Sequence, residues 1–235
     1  MVRRTIDQDR VRRRFNSMQE VYAEENLPAW GYEVELNGFP LHFFYQWKNS
    51  PITFVSFAGG LLKDTTTVPR WSGHGLASKA GMNLLLISDP SFILSDQLRF
   101  GWYAGNSHQE NLQDKIVELV ERLSRGTKLV FFGISAGGFA ALHTASKFEH
   151  SNVVVINSST DILKSKPLRI MQYASLAWNF NPLEPILEFP CTTSVLHEYS
   201  SPTSNNVMYI QNSGDKLWFN DHYLPFKTAL TLKVT

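Results

Sequence analysis

Lys128-Leu-Val-Phe-Phe-Gly-Ile-Ser-Ala-Gly-Gly-Phe-Ala-Ala-Leu142 is the stretch that decides the fold. Its first half is an apolar run of strand character. Its second half is a run of small residues of helical character. Between them lies Gly133-Ile134-Ser135-Ala136-Gly137, a match to G-x-S-x-G. The pattern is short, and its context gives it meaning. A strand that enters and a helix that leaves form the sharp turn on which a nucleophilic serine is raised above a sheet. Side chains two residues before and after that serine would collide, so Gly133 and Gly137 relieve the crowding. The helix start brings free N–H groups and a positive dipole end towards the serine oxygen. The Ala136 N–H is the expected first oxyanion-hole donor. The plainer alternative is a Gly-rich turn whose serine only caps the helix.

The neighbouring pattern agrees with a strand-turn-helix setting. Apolar runs at Ile52–Phe57, Met82–Ile87, Leu129–Ile134, Val153–Ile156, Val207–Ile210 and Ala229–Val234 predict strands. Asn111–Leu123, Ala136–Phe148 and Leu168–Trp178 predict helices between them. Strands alternating with helices imply a mostly parallel sheet with helices on both faces. Tyr32–Leu36 and Leu41–Trp47, joined across Asn37-Gly38, predict an antiparallel hairpin at the N-terminal edge. The expected fold is α/β, of α/β-hydrolase type, in one domain over residues 1–235. Residues 3–24 read as a helix, within a basic extension over residues 1–26. They carry Arg3, Arg4, Arg10, Arg12, Arg13 and Arg14. That charge is either a solvated helix face or a docking face for an anionic polymer.

Composition bounds the function. The 235 residues are 43% apolar and 18% charged, enough for a sizeable core. A net charge of +1 points away from a nucleic-acid binder. The single Cys191 forms no internal disulfide and favours a reducing compartment. The charged start has no apolar h-region, and no stretch approaches the ~18 apolar residues of a membrane span, so a cytoplasmic protein is expected. No H-E-x-x-H and no metal-spaced Cys/His pairs are present. Gly73-His-Gly75 does not extend to a dinucleotide fingerprint, because Ser78 stands at the third glycine position. No cofactor and no metal are expected.

The remaining site residues follow from chain order. The loop Phe57-Ala-Gly-Gly-Leu61 follows the third strand, and Gly59 is the expected second oxyanion donor. Asp215 follows Val207–Ile210 in a turn and is the expected acid, with Asp161 as substitute. The base should come after the acid. His222 is the histidine that follows Asp215, in Trp218-Phe-Asn-Asp-His-Tyr-Leu-Pro-Phe226. The predicted last strand is followed by Thr235 alone, so a C-terminus truncated before the true base is the other expectation. His74, between two glycines, is either a substrate contact or an exposed loop residue.

Several stretches, the serine turn among them, carry a resemblance. They are Ser88-Asp-Pro90, Phe100-Gly-Trp-Tyr-Ala-Gly105, Phe132-Gly-Ile-Ser-Ala-Gly-Gly-Phe139, Ile156-Asn-Ser-Ser-Thr-Asp161, Tyr209-Ile-Gln-Asn-Ser-Gly-Asp215 and His222-Tyr-Leu-Pro-Phe226. Together the sequence resembles the α/β-hydrolase branch found beside bacterial surface-polysaccharide genes, the capsular polysaccharide biosynthesis proteins. It is more distantly similar to the acetyltransferase-like component of the accessory Sec system. The resemblance implies a serine-dependent esterase or O-acyltransferase acting on a glycan or related ester, with Ser135 as nucleophile and Asp215 as acid. It also implies a Gly-His pair after the final strand as base, which this sequence does not contain. Trp102 and Tyr103 either stack on a sugar or pack in the core. A non-catalytic scaffold of a polysaccharide assembly system is the alternative reading.

Overall fold

The apolar runs between Ile52 and Ile210 form strands, and the computed structural model describes them within residues 3–181, 188–201 and 203–231. In chain order the first half contains β1 (Thr5–Ile6), β2 (Arg13–Phe15), α1 (Met18–Ala23), β3 (Trp30–Leu36), β4 (Phe39–Gln46), β5 (Ile52–Phe57), β6 (Thr67–Val68), α2 (His74–Lys79) and β7 (Asn83–Ser88). The second half contains α3 (Leu112–Ser124), β8 (Lys128–Ile134), α4 (Ala136–Ala145), β9 (Asn152–Ile156), α5 (Pro167–Trp178), α6 (Leu196–Ser200), β10 (Asn206–Ile210), α7 (Lys216–Trp218) and α8 (Leu224–Thr231).

Eight strands form one sheet in the order β10-β9-β8-β5-β7-β4-β3-β2. The run from β10 to β7 is parallel, and β4 lies antiparallel to both β7 and β3. The predicted N-terminal hairpin is therefore present. Its turn has φ 55° at Asn37 and 75° at Gly38, the positive pair that suits the twist of a tight hairpin.

The period of two along each strand distributes side chains to two faces. Val55, Phe57, Leu85, Ile87 and Phe131 join Ile116 and Leu119 of α3 and Phe139 and Leu142 of α4 in the main core. Phe54, Leu84, Leu86 and Phe132 meet Ala77 of α2 on the opposite face. Helices thus cover both faces, as expected. Each such side chain, fully buried, contributes ~1.5–3 kcal/mol.

Two expectations are corrected. Residues 3–24 do not form one helix. They form β1, a 3-10 turn over Gln8–Arg10, β2 and the short α1. The start signal is Ser17, whose side chain accepts the Glu20 N–H and caps α1. Upstream, Phe15 points inward and β2 pairs with β3. Arg4 is buried, and its guanidinium donates to the carbonyls of Thr65, Phe92, Ser95, Asp96 and Leu98. That arginine staples a loop and presents no charge to a partner.

The predicted strand Ala229–Val234 is the second correction. Residues 229–231 end α8, and residues 232–234 lie outside the described residues. Pro225 suits the first turn of a helix, and Phe226 and Ala229 bury at helical spacing. A short apolar run fits a strand and a buried helix end alike. Among the described residues no helix is long and apolar enough to cross a membrane.

Candidate functional site

β8 runs centrally between β5 and β9, and Ser135 follows it at φ 54°, ψ −117°. A non-glycine residue in that region stores on the order of 1–3 kcal/mol of strain. The surroundings hold it there. The Ser135 N–H donates to Ile156 O at 3.0 Å, and its carbonyl accepts from Gly138 at 3.0 Å and Ser159 at 3.1 Å. A Cβ on Gly133 would collide with the Gly137 carbonyl. One on Gly137 would collide with the carbonyls of Phe57 and Ala58. Only glycine permits both approaches.

The loop after β5 passes beside this turn. A Cβ built on Gly59 would stand 3.0 Å from Ile134 O and 3.9 Å from Ser135 Cβ. Neither the Gly59 nor the Ala136 N–H has a partner among the described hydrogen bonds. Tyr103 Oη lies 3.2 Å from Ala58 O and 3.1 Å from Ile87 O, donating to one or shared by both. A trans peptide aims its C=O and N–H in opposite directions, so holding the Ala58 carbonyl fixes the aim of the Gly59 N–H. Asp89 steadies the Tyr103 segment by accepting its N–H at 2.9 Å and that of Ser91 at 3.0 Å. Complete burial pushes the Asp89 carboxyl up to about 6, against the pull of those N–H groups.

Ser135 opens into a cavity of about 430 Å³. Its wall includes Gly59, Arg99, Lys166, Arg169, Asp215 and Trp218. Asp215 is exposed and caps α7 through a bond from the Trp218 N–H at 3.4 Å. Asp161 caps a different turn, accepting the Leu163 N–H at 2.8 Å, and does not line this cavity. A roomier cleft, about 890 Å³, lies between α1 and α3. Glutamates and arginines line it, and no serine or histidine does.

His222 makes no described hydrogen bond to the serine hydroxyl. It is fully buried, in contact with Trp218, and is not on the cavity wall. Its Nδ1 accepts the Thr160 N–H at 3.2 Å, and its Nε2 is buried without a partner. A neutral ring that accepts at Nδ1 carries its proton on Nε2. Burial lowers its pKa to about 4. No described hydrogen bond joins it to Ser135 or Asp215. His74 begins α2, exposed, with its ring edge-on to Phe44. Trp102 and Tyr103 are core residues, each at least 98% buried, so neither offers a face to a sugar.

Arg99, Lys166 and Arg169 were not visible as site residues in the sequence, because they come from separate loops and a helix start. Among the described residues no group of His, Cys, Asp or Glu is arranged to hold a metal ion.

The sequence matches no protein-family model and no curated protein. Solved structures do resemble it. The capsule O-acetyltransferase of Neisseria meningitidis serogroup A is 16% identical, over 91% of this chain and 87% of that one, with a TM-score of 0.63. A lipase/esterase from Lactobacillus plantarum is 15% identical over 87% and 85%, with a TM-score of 0.51. Pyrococcus horikoshii acylaminoacyl peptidase is 14% identical over 91% of this chain but 36% of its own, with a TM-score of 0.56. At such identities the likeness concerns architecture, and with the sheet order and the serine turn it shows that this chain has the α/β-hydrolase fold.

Proposed function

We propose that this protein is a serine-dependent acyl esterase or O-acyltransferase that works through an acyl-enzyme on Ser135. One observation carries the reading: Ser135 is held in a strained backbone conformation, opening into a cavity, beside two backbone N–H groups that have no partner among the described hydrogen bonds. Strain at such a position is kept where the chemistry needs it. Ser135 Oγ attacks the ester carbonyl carbon, and the Gly59 and Ala136 N–H groups receive the charge that forms on the carbonyl oxygen. The alcohol leaves with a proton, and the acyl group stays on Oγ. Water or a sugar hydroxyl then takes the acyl group and frees the serine. The structural likeness to a capsule O-acetyltransferase and to an esterase supports acyl chemistry, and the former supports a glycan as acceptor.

The hydroxyl proton needs an acceptor. His222 serves only if its ring leaves the Thr160 N–H and turns an unprotonated nitrogen to Ser135, because its present tautomer donates at Nε2. Asp215, already on the cavity wall, would then stabilise the protonated ring.

Intact-mass labelling with a neutral fluorophosphonate probe tests the reading, with Ser135→Ala alongside. A single adduct that vanishes in the variant is expected. No adduct on well-folded protein would sink the reading and favour a binding component of a polysaccharide assembly system.

A further inference from the structure

We infer that the Ser135 cavity takes an ester substrate bearing a phosphate-like anion, held by Arg169, Arg99 and Lys166 while the ester carbonyl meets the Gly59 and Ala136 N–H groups. The inference rests on the acyl-enzyme reading and names the substrate class for it.

Charge balance is the first support. Three cations line the cavity against one carboxylate, Asp215. None of the three forms an ion pair among the described residues. Arg169 lies over Phe100 at 4.0 Å and over Trp218 at 5.3 Å, and it makes no described side-chain hydrogen bond. The two ring contacts hold the guanidinium in place and leave its five N–H donors without a described partner. Arg99 uses its Nε on Leu61 O at 2.8 Å, which leaves its terminal nitrogens for a ligand. A fork of donors pre-set in this way suits the oxygens of a phosphate.

Helix electrostatics is the second support. Lys166 is the N-cap of the twelve-residue α5, and Arg169 lies in its first turn, with no acidic residue there. The dipole of a helix disfavours cations at that end by ~0.3–1 kcal/mol each. Helix stability alone would select the opposite sign. Burial and the nearby Arg99 lower the Arg169 pKa against the opposing pull of Asp215, so the two guanidinium groups stand together at a cost that one carboxylate offsets only in part. The positive end of α5 adds to the same field.

The test is calorimetric titration of the full chain with inorganic pyrophosphate at low salt. Wild type and Ser135→Ala should bind equally, with affinity falling as salt rises. Arg99→Gln combined with Arg169→Gln should bind at least tenfold more weakly. Pyrophosphate should also slow fluorophosphonate labelling of the wild type and not of the double variant. Should loss of the Phe100 and Trp218 stack unfold that variant, Lys166→Gln, at the exposed rim, should still weaken binding about threefold. Equal affinity in the folded variants, or no binding to wild type, overturns the inference. Labelling that pyrophosphate leaves untouched removes the anion site and spares the serine reading. Binding without any labelling removes the serine reading and leaves only an anion site.

Discussion

Tyr103→Phe deletes one oxygen and keeps the ring, so it isolates the hydroxyl that holds the Ala58 carbonyl. The backbone at Tyr103 has φ 56°, and phenylalanine bears that conformation no worse than tyrosine. The hydroxyl is buried and within reach of two carbonyls, at 3.1 and 3.2 Å. Removing such a donor costs about 1–3 kcal/mol of stability. For a domain of this size that is a melting-temperature drop of roughly 2–12 °C. The rate effect is separate. Losing one oxyanion donor outright costs roughly 100- to 1000-fold. Here the Gly59 N–H stays and only its aim loosens, so the second-order rate of fluorophosphonate labelling should fall about 5- to 50-fold, or ~1–2.3 kcal/mol. Ile116→Val is the control, because it loosens α3 in the same core without touching the loop. It should melt lower by a comparable fraction of this drop and label at the wild-type rate. If Tyr103→Phe melts lower yet labels as fast as wild type, the hydroxyl supports packing alone, and the positioning argument fails.

Other outcomes follow from the same geometry. Ser135→Gly should melt above Ser135→Ala by ~1 kcal/mol in stability, since only glycine relaxes at φ 54°, and neither should label. Gly137→Ala should lose at least ~3 kcal/mol, because its Cβ would overlap the Phe57 and Ala58 carbonyls; normal folding by circular dichroism would contradict the tightness of the turn. His222 resists protonation down to about 4, so the fold should lose ~3 kcal/mol relative to His222→Gln as pH falls from about 6.5 to 4. Asp89 acts with the opposite sign. Its pKa is raised to about 6, so its protonated form favours the fold, and stability falls by up to ~3 kcal/mol as pH rises from about 4 to 6. Urea midpoints across this range should therefore be flatter in wild type than in His222→Gln; parallel curves would refute the His222 assignment, and a His222→Gln curve that does not fall between about pH 4 and 6 would refute that of Asp89.

The strand-turn-helix around Ser135 was legible because its signals are local. Gly133 and Gly137 lie two residues either side of the serine, and the period of each flanking element shows within a few residues. The helix α3 was legible for the same reason, through Leu112, Ile116, Leu119 and Leu123. Arg4 was not, since its worth lies in five carbonyls 61 to 94 residues away. α8 was misread because Ala229–Val234 is an apolar run of strand length, and periodicity alone does not separate such a run from a buried helix end. Trp102 and Tyr103 could be placed near the site but not given a role. Only the fold shows that both are buried and that the Tyr103 hydroxyl lies within reach of the carbonyls of Ala58 and Ile87.

Natural sequences mostly agree with themselves from local preference to global packing, and they break that agreement where function requires it. Three such breaks meet at the Ser135 cavity. Ser135 takes a backbone conformation that favours glycine. Asp89 buries a carboxyl whose ionised form burial disfavours. Lys166 and Arg169 put positive charge at the wrong end of a helix. They arise after β8, after β7 and at the start of α5, with no periodic relation among them. Yet Ser135, Lys166 and Arg169 line one cavity, and Asp89 reaches its wall through Tyr103, Ala58 and Gly59. Their convergence on one cavity is what a site that must hold a serine, aim an N–H and attract an anion at once would demand.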